Sequence, residues 1–265
     1  MSDTVRDSWR KPPAIPNPVL RYTLAAAVLV YVVWALGTLP FDWNRVSEGL
    51  IRAGRIFSGA FPPNFERSGL LIEGFLESLQ IAIVATAAGV LLSVPIALMA
   101  ARNLSPLPIY LFGRGIIIGA RSFHPVIVAI IFVKAVGFGP LAGVLTLTVY
   151  SIGFVAKMLA ERIEEIDWGQ VEAVRSAGAN YLGTLIYAVF PQIMPRQIGL
   201  SIYQLDSNLR ASAVVGIVGA GGIGATLANA FKRYDYDFAL AITIVIVGAI
   251  LISEAVSGQV RKRIW

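Results

Sequence analysis

The segment DWGQVEAVRSAGANYLGTLIYAVFP, residues 167–191, separates two long apolar blocks of the chain. Its charged and small residues favour a helix in water, whereas the blocks on either side favour lipid. The segment therefore marks a place where the chain leaves the membrane and returns to it. A hydrophobic protein that keeps such a segment in water is expected to use it to contact a partner there.

The composition is that of a membrane protein. Apolar residues make up 56% of the 265 residues and charged residues 14%, with a mean hydropathy of +0.71, whereas a soluble chain carries about 25% charged residues. Six apolar runs can each cross a bilayer core of about 30 Å as a helix of roughly 20 residues. They are Tyr22–Leu39, Phe75–Ala101, Gly115–Val136, Leu141–Ala160, Gln197–Val218 and Phe238–Val256. We predict an all-α integral membrane protein with about six transmembrane helices. Five spans remain an alternative, since Arg121 and Pro125 interrupt the third run.

The distribution of Lys and Arg predicts the orientation. With both termini in the cytoplasm, 13 of the 22 basic residues fall in cytoplasmic segments and six in outer ones. Four of those six lie in the long 40–74 loop, where charge has less influence on topology. The bias places the 161–196 segment in the cytoplasm. It also accounts for the net charge of +6 without a nucleic-acid partner.

Three regions follow from this pattern. Residues 1–19 are polar and proline-rich and read as a cytoplasmic tail rather than a cleaved signal peptide. Residues 20–74 hold the first span and an outer segment, 42–60, whose mixture of apolar and charged residues predicts an amphipathic helix on the membrane surface. Residues 75–260 form the core domain, with the cytoplasmic loop 161–196 inside it.

Several kinds of chemistry are excluded or disfavoured. The chain has no cysteine and one histidine, His124, which removes thiol catalysis and argues against a metal site. It contains no G-x-x-x-x-G-K-[ST] run, so it cannot hold ATP phosphates in a P-loop. No nucleophile lies in a pattern with a base. We therefore expect no enzyme activity and no cofactor on this chain.

The cytoplasmic segment is predicted to form two short helices. Asp167 is a candidate N-cap, and Gln170 three residues later suits the reciprocal capping arrangement. Gly178 fits the left-handed position that ends a helix. A second helix is expected from about Asn180 to Phe190, with a break at Pro191.

The first of these helices has a surface suited to docking. Ala173, Ala177 and Gly178 have almost no side chain, so another protein can approach the backbone closely. Glu172 near the helix start is favoured by the helix dipole and can meet a basic partner residue. The residues alone leave a second interpretation equally open, an ordinary helical hairpin that links two spans.

The fifth apolar run holds two ionisable groups. Asp206 and Arg210 stand four apart on one helical face and can pair. A structural ion pair between helices is one interpretation. The other makes Arg210 a positive element in a path for an anion, since ionisable groups in a membrane usually face the bundle interior or a water-filled path.

Glycines follow directly after this run, at positions 216, 219, 221, 222 and 224. They make a continuous helix unfavourable beyond about Val218. Unwound backbone at membrane depth is tolerated where it is buried or lines a cavity, and glycines also permit close helix crossing. The cluster therefore predicts tight packing at a dimer interface, a gate near the outer mouth, or both.

Two motifs resemble a known family. The pattern Glu-Ala-Ala-x3-Gly-x9-Ile-x-Leu-Pro marks the permease subunits of bacterial ABC importers. This chain resembles it with Glu172-Ala173-Val174, Gly178 and Phe190-Pro191, and departs from it at Val174, Ala188 and Phe190. The resemblance implies a type I permease fold in which Glu172, Ala173, Ala177, Gly178 and Pro191 belong to a coupling segment that docks on an ATP-binding subunit. It also implies a second permease subunit, an external substrate-binding protein, and ATP and Mg on the ATPase.

The second motif narrows the family. Asn208-x-Arg210-Ala211-Ser212 and the glycines after it, together with the earlier VGFGPLAGVL at 136–145, look like the permeases of phosphonate-type importers. The resemblance implies transport of phosphonate, phosphite or phosphate across the bacterial cytoplasmic membrane. The expected path or gate residues are Asn208, Arg210, Ser212, Gly219, Gly221 and Gly222. The rival interpretation is an ion-gradient-driven transporter or channel, for which paired broken helices in inverted repeats are typical; the chain shows one glycine-broken segment.

Overall fold

The computed structural model describes residues 17–39 and 42–264, with side chains up to residue 259. The first 16 residues of the predicted tail lie outside this part. The described residues form helices and connecting turns and no strand. In chain order the helices are α1 Pro18–Thr38, α2 Trp43–Ala60, α3 Ser68–Ala100, α4 Leu107–Ser122, α5 Pro125–Val136, α6 Pro140–Glu164, α7 Trp168–Ser176, α8 Tyr181–Thr184, a π-helical turn Leu185–Val189, α9 Phe190–Ile217, α10 Ile223–Lys232 and α11 Tyr236–Ile264.

The chain divides into two compact units, residues 1–55 and 56–265. In the first, α1 begins where the side chain of Asn17 accepts a hydrogen bond from the Val19 amide at 3.0 Å. This helix is apolar all round and buries none of its residues within the chain, as a lipid-facing span does. The helix predicted over 42–60 is confirmed as α2, which ends at Ala60, two residues before Pro62-Pro63.

Within the described residues, four helices are long and apolar enough to cross a membrane: α1, α3, α6 and the part of α11 up to Gln259. The pair α4 and α5 would make a fifth span. The sequence predicts six spans, one more than these five, and the additional predicted span corresponds to α9. That helix has 28 residues, about 42 Å at 1.5 Å per residue, but Asp206 and Arg210 lower its hydropathy. Its role as a span stays a prediction.

The prediction that Gly115–Val136 forms a single helix is wrong. The chain bends by 92° between α4 and α5. His124 has extended backbone angles and its Nδ1 accepts a hydrogen bond from the Val126 amide at 3.3 Å, which makes it the N-cap of α5. Pro125 disfavours the helical conformation in the residue before it, so one helix ends here and another begins.

The core of the second unit lies where α3, α6 and α9 pack together. Small residues allow the close approach of α3 and α6: a Cβ on Gly89 of α3 would collide with the Cβ of Ser151 of α6. α3 also contributes fully buried alanines, among them Ala82, Ala85 and Ala97. Without a strong hydrophobic drive between helices in lipid, such small contacts hold a bundle together.

Candidate functional site

Two predicted features of α7 are confirmed, the N-cap at Asp167 and the helix end at Gly178. Oδ1 of Asp167 accepts a hydrogen bond from the Gly169 amide at 2.9 Å. At the other end the Gly178 amide donates to the Arg175 carbonyl at 2.9 Å. Gly178 has φ of +88°, the left-handed conformation that closes a helix with little strain only when the residue is glycine.

The reciprocal cap at Gln170 is not formed, and Gln192 occupies its place. The Asp167 amide donates to Oε1 of Gln192 at 2.8 Å, across 25 residues of chain. In return Nε2 of Gln192 donates to the Asp167 carbonyl at 3.3 Å and to the Ala188 carbonyl at 2.8 Å. The residue spacing within α7 pointed to Gln170, whereas the packing of the π-helical turn against α7 brings Gln192, in the first turn of α9, to Asp167.

The predicted helix break at Pro191 is also wrong. The helical path continues from Tyr181 through the π-helical turn into α9, which begins at Phe190. The Phe190 amide donates to the Leu185 carbonyl, five residues back. Pro191 lies in the first turn of α9, where its missing N–H costs least, and the widened π turn before it accommodates the proline ring.

The α7 helix has one buried and one exposed face. Val171 is fully buried in an apolar cluster with Ile163, Val189 and Ile193, and Trp168 and Val174 pack against it. The predicted coupling residues are all exposed: Glu172 and Ala173 on α7, Ala177 and Gly178 directly after it, and Pro191 on α9. The buried face anchors α7 to α6 and α9, so the exposed face is free to contact another molecule from a fixed position.

The ion pair predicted on α9 is present. Nη2 of Arg210 lies 2.8 Å from Oδ2 of Asp206, with the carboxylate side chain 5% exposed and the arginine side chain 39% exposed. Oδ1 of Asp206 accepts a hydrogen bond from the hydroxyl of Ser253 on α11 at 2.8 Å. Asp206 thus pairs with Arg210 from the buried side, and the arginine side chain stays partly exposed.

Asn208 lies at the junction of three helices and is fully buried. Its Nδ2 donates to Thr86 of α3 and to Ser151 of α6, both at 2.8 Å, and its Oδ1 accepts from Gln204 at 2.9 Å. Asn208 was predicted to line the path, but its side-chain NH2 group is hydrogen-bonded to two neighbouring helices. Gln204 was not among the predicted site residues, although its spacing of four from Asn208 on α9 could have pointed to the pair.

Ser212, another predicted path residue, is also buried, and its hydroxyl donates to the Leu209 carbonyl at 2.8 Å.

The glycine cluster forms a tight turn between α9 and α10. Gly219, Gly221 and Gly222 all have positive φ, from +74° to +99°, and α9 ends at Ile217 as the glycines predict. A Cβ on Gly221 would lie 2.9 Å from the Pro140 nitrogen and 2.8 Å from Oε1 of Glu77. The turn is thus packed against the start of α6 and the N-terminal part of α3.

Comparison with known proteins supports the family resemblance that the two sequence motifs indicate. Residues 93–265 match the family model described as "binding-protein-dependent transport system inner membrane component". The chain is 41% identical to the phosphate-import permease protein PhnE of Mycolicibacterium smegmatis, over 91% of this chain and 45% of that protein. It is 39% identical to the phosphite transport system permease protein PtxC of Stutzerimonas stutzeri, over 89% of this chain and 85% of that one. The chain thus spans less than half the length of the mycobacterial relative.

Solved structures show the same fold at lower identity. A chain of the MetNI methionine ABC transporter in an inward-facing conformation matches with a TM-score of 0.66 at 22% identity, over 76% of this chain and 99% of that one. A chain of a bacterial ABC transporter for the acidic polysaccharide alginate matches with a TM-score of 0.58 at 16% identity, over 92% and 96%. These likenesses establish the ABC importer permease fold expected from the motifs. The chain belongs to the family of binding-protein-dependent transport system inner membrane components.

Proposed function

We propose that this chain is the transmembrane permease subunit of an ATP-driven importer that carries a phosphorus oxyanion, phosphonate, phosphite or phosphate, into a bacterial cell. The observation that carries the proposal is the match to relatives named for phosphate import and phosphite transport, at 39–41% identity over about nine tenths of the chain. The partly exposed side chain of Arg210 on α9 has the charge that such an anion requires.

The exposed face of α7 is proposed as the contact with an ATP-binding subunit. Its small residues, Ala173, Ala177 and Gly178, allow a groove on the partner to reach the helix backbone, and Glu172 offers a charge for a basic residue. ATP and Mg would bind on that partner. The buried face of α7, centred on Val171, would carry the motion of the ATPase into the bundle.

The assembly is proposed to contain two permease subunits, two ATP-binding subunits and an external binding protein that delivers the anion. Both termini and the 161–196 segment would face the cytoplasm, as the Lys and Arg distribution predicts. The large apolar side chains exposed along α1, α3 and α11 would then contact membrane lipid or the second permease subunit.

Reconstitution into vesicles tests the proposal. The chain is incorporated with candidate ATP-binding subunits, the binding protein is added outside, and uptake of phosphite, phosphate and methylphosphonate is followed with ATP inside. We expect uptake of one or more of these anions that stops with a non-hydrolysable ATP analogue. Uptake without any ATPase subunit, driven by an ion gradient, would overturn the proposal and support a secondary transporter or channel.

A further inference from the structure

The side chain of Gln192 in α9 makes three hydrogen bonds, two to Asp167 at the start of α7 and one to Ala188 in the π-helical turn. Its side-chain amide accepts from the Asp167 amide at 2.8 Å and donates to the Asp167 carbonyl at 3.3 Å. It also donates to the Ala188 carbonyl of its own helical segment at 2.8 Å. A carboxamide has the same donor and acceptor groups as a peptide unit, so it pairs with both main-chain groups of Asp167 at once.

Asp167 is the residue from which α7 begins. Its own side chain caps the helix through the Gly169 amide, so its backbone position sets where the first turn lies. Gln192 lies in the first turn of α9. The same helix carries Asp206, Asn208 and Arg210 further toward its C-terminal end. The side-chain amide of Gln192 therefore links the start of α7, the proposed coupling helix, to the first turn of α9, the helix that carries Arg210.

The two ends of α7 are attached differently. At its C-terminal end Gly178 adopts φ of +88°, and a Cβ placed there would meet no atom within 4 Å. That turn faces open space, although Val174 one turn earlier packs against the same apolar cluster as Val171. At the N-terminal end the chain is held by Gln192 and by the apolar cluster that contains Ile166, Val171 and Ile193. Hydrogen bonds from Gln192 join the N-terminal end of α7 to α9, so a displacement of that end is passed to α9.

We propose that Gln192 is a positioning residue that transmits the movement of the coupling helix to α9, so that ATP hydrolysis and transport remain linked. The proposal rests on the proposed function, since it presumes that an ATPase moves α7. It deepens that function by naming the contact through which the movement reaches the spanning helix. Apolar packing alone resists separation but permits sliding, whereas directional hydrogen bonds to Asp167 fix the register of the two helices.

The test replaces Gln192 by methionine in the assembled transporter, with both ATPase subunits and the binding protein present. Methionine has a similar length and cannot form the three hydrogen bonds. Gln192 lines a cavity of about 580 Å³ together with Met158, Glu165 and Pro195, so the unbranched substitute has room. We expect the amount of anion taken up per ATP hydrolysed to fall about tenfold, with complex yield and basal ATP hydrolysis unchanged.

Two further variants make the result decisive. Gln192→Glu keeps an oxygen that can accept from the Asp167 amide and loses both donations, so its transport per ATP should lie between those of wild type and Gln192→Met. Gln259→Met, at an exposed glutamine of α11, is the matched control and should match wild type. An unchanged ratio in Gln192→Met, or parallel loss of hydrolysis, uptake and complex yield in both Gln192 variants, would overturn the proposal.

The outcome is separable from failure of the proposed function. If the chain is not an ATP-driven permease, wild type and Gln259→Met will also show no ATP-dependent uptake. If the function is right and the Gln192 proposal is wrong, wild type, the control and the Gln192 variants will all transport with the same ratio of uptake to hydrolysis.

Discussion

The amide of Gly139 donates a hydrogen bond to the carbonyl of Gly219 at 3.0 Å, which joins the two glycine-containing motifs of the chain. Phe138, the neighbour of Gly139, lies against Gly219 so closely that a Cβ there would collide with its ring. The turn after α9 and the turn before α6 therefore form one packed structure. If α9 moves, the two turns must therefore move together with it, or the contact between them must break.

Gly221 should tolerate no side chain in this structure. It has φ of +81°, and a Cβ would lie within 3.0 Å of Pro140 backbone atoms. We expect Gly221→Ala to lower the stability of the purified chain by about 2 kcal/mol or more, from backbone strain and overlap together. Thermal unfolding in detergent, followed by circular dichroism, measures the effect.

Gly248→Ala is the control for that substitution. Gly248 lies within α11, has no atom near its ideal Cβ position, and alanine favours the helix. The control should unfold at or slightly above the wild-type temperature. Equal destabilisation by both substitutions would contradict the packed turn.

Asn208→Ala should destabilise the bundle, because it removes the amide that joins α9 to Thr86 and Ser151. We expect a loss of about 1–2 kcal/mol, the scale of hydrogen bonds between helices in a membrane. Asn229→Ala, at an exposed asparagine of α10, is the matched control and should have little effect. A double-mutant cycle of Asn208→Ala with Thr86→Val should show non-additive energies; strict additivity would argue against a direct contact.

Arg210→Ala should reduce oxyanion uptake more than tenfold if the guanidinium contacts the anion, since a charge-assisted bond is worth about 1.5–3 kcal/mol. The same variant also strips the buried carboxylate of Asp206 of its partner. The double variant Asp206→Asn with Arg210→Gln removes both charges and leaves no buried ion unpaired. If Arg210 contacts the anion, uptake stays low in the double variant; recovery of uptake would show that the pair is structural.

Glu172→Lys should weaken association with the ATP-binding subunits while the chain still inserts into the membrane. The residue is exposed on α7, so the substitution disturbs no internal contact and reverses the charge offered to a basic partner. Co-purification of tagged permease with the ATPase measures the effect. Glu66→Lys, at an exposed residue before α3, is the control on the opposite predicted side, and equal loss in both variants would contradict docking at α7.

Much of the fold and part of the site follow from local sequence. Apolar runs predict α1, α3, α6 and α11, because a helix in lipid needs about 20 apolar residues and satisfies its own backbone groups. The cap at Asp167, the turn at Gly178 and the end of α9 near Val218 each depend on the conformational preference of a few adjacent residues. The pair of Asp206 with Arg210 depends only on helical spacing.

Tertiary structure decided the remaining features, because each depends on which surfaces meet. The 92° bend at Pro125 and the continuation of the helix through Pro191 show that a proline near a helix end either breaks or admits the helix according to its surroundings. Gln192, 25 residues from Asp167 in the chain, pairs with it in place of Gln170 because the π-helical turn that leads into α9 packs against α7. The partners of Asn208 and the contact of Gly139 with Gly219 likewise join distant segments. Local sequence sets the backbone preference of each segment; the choice among distant partners depends on packing, which no single segment contains.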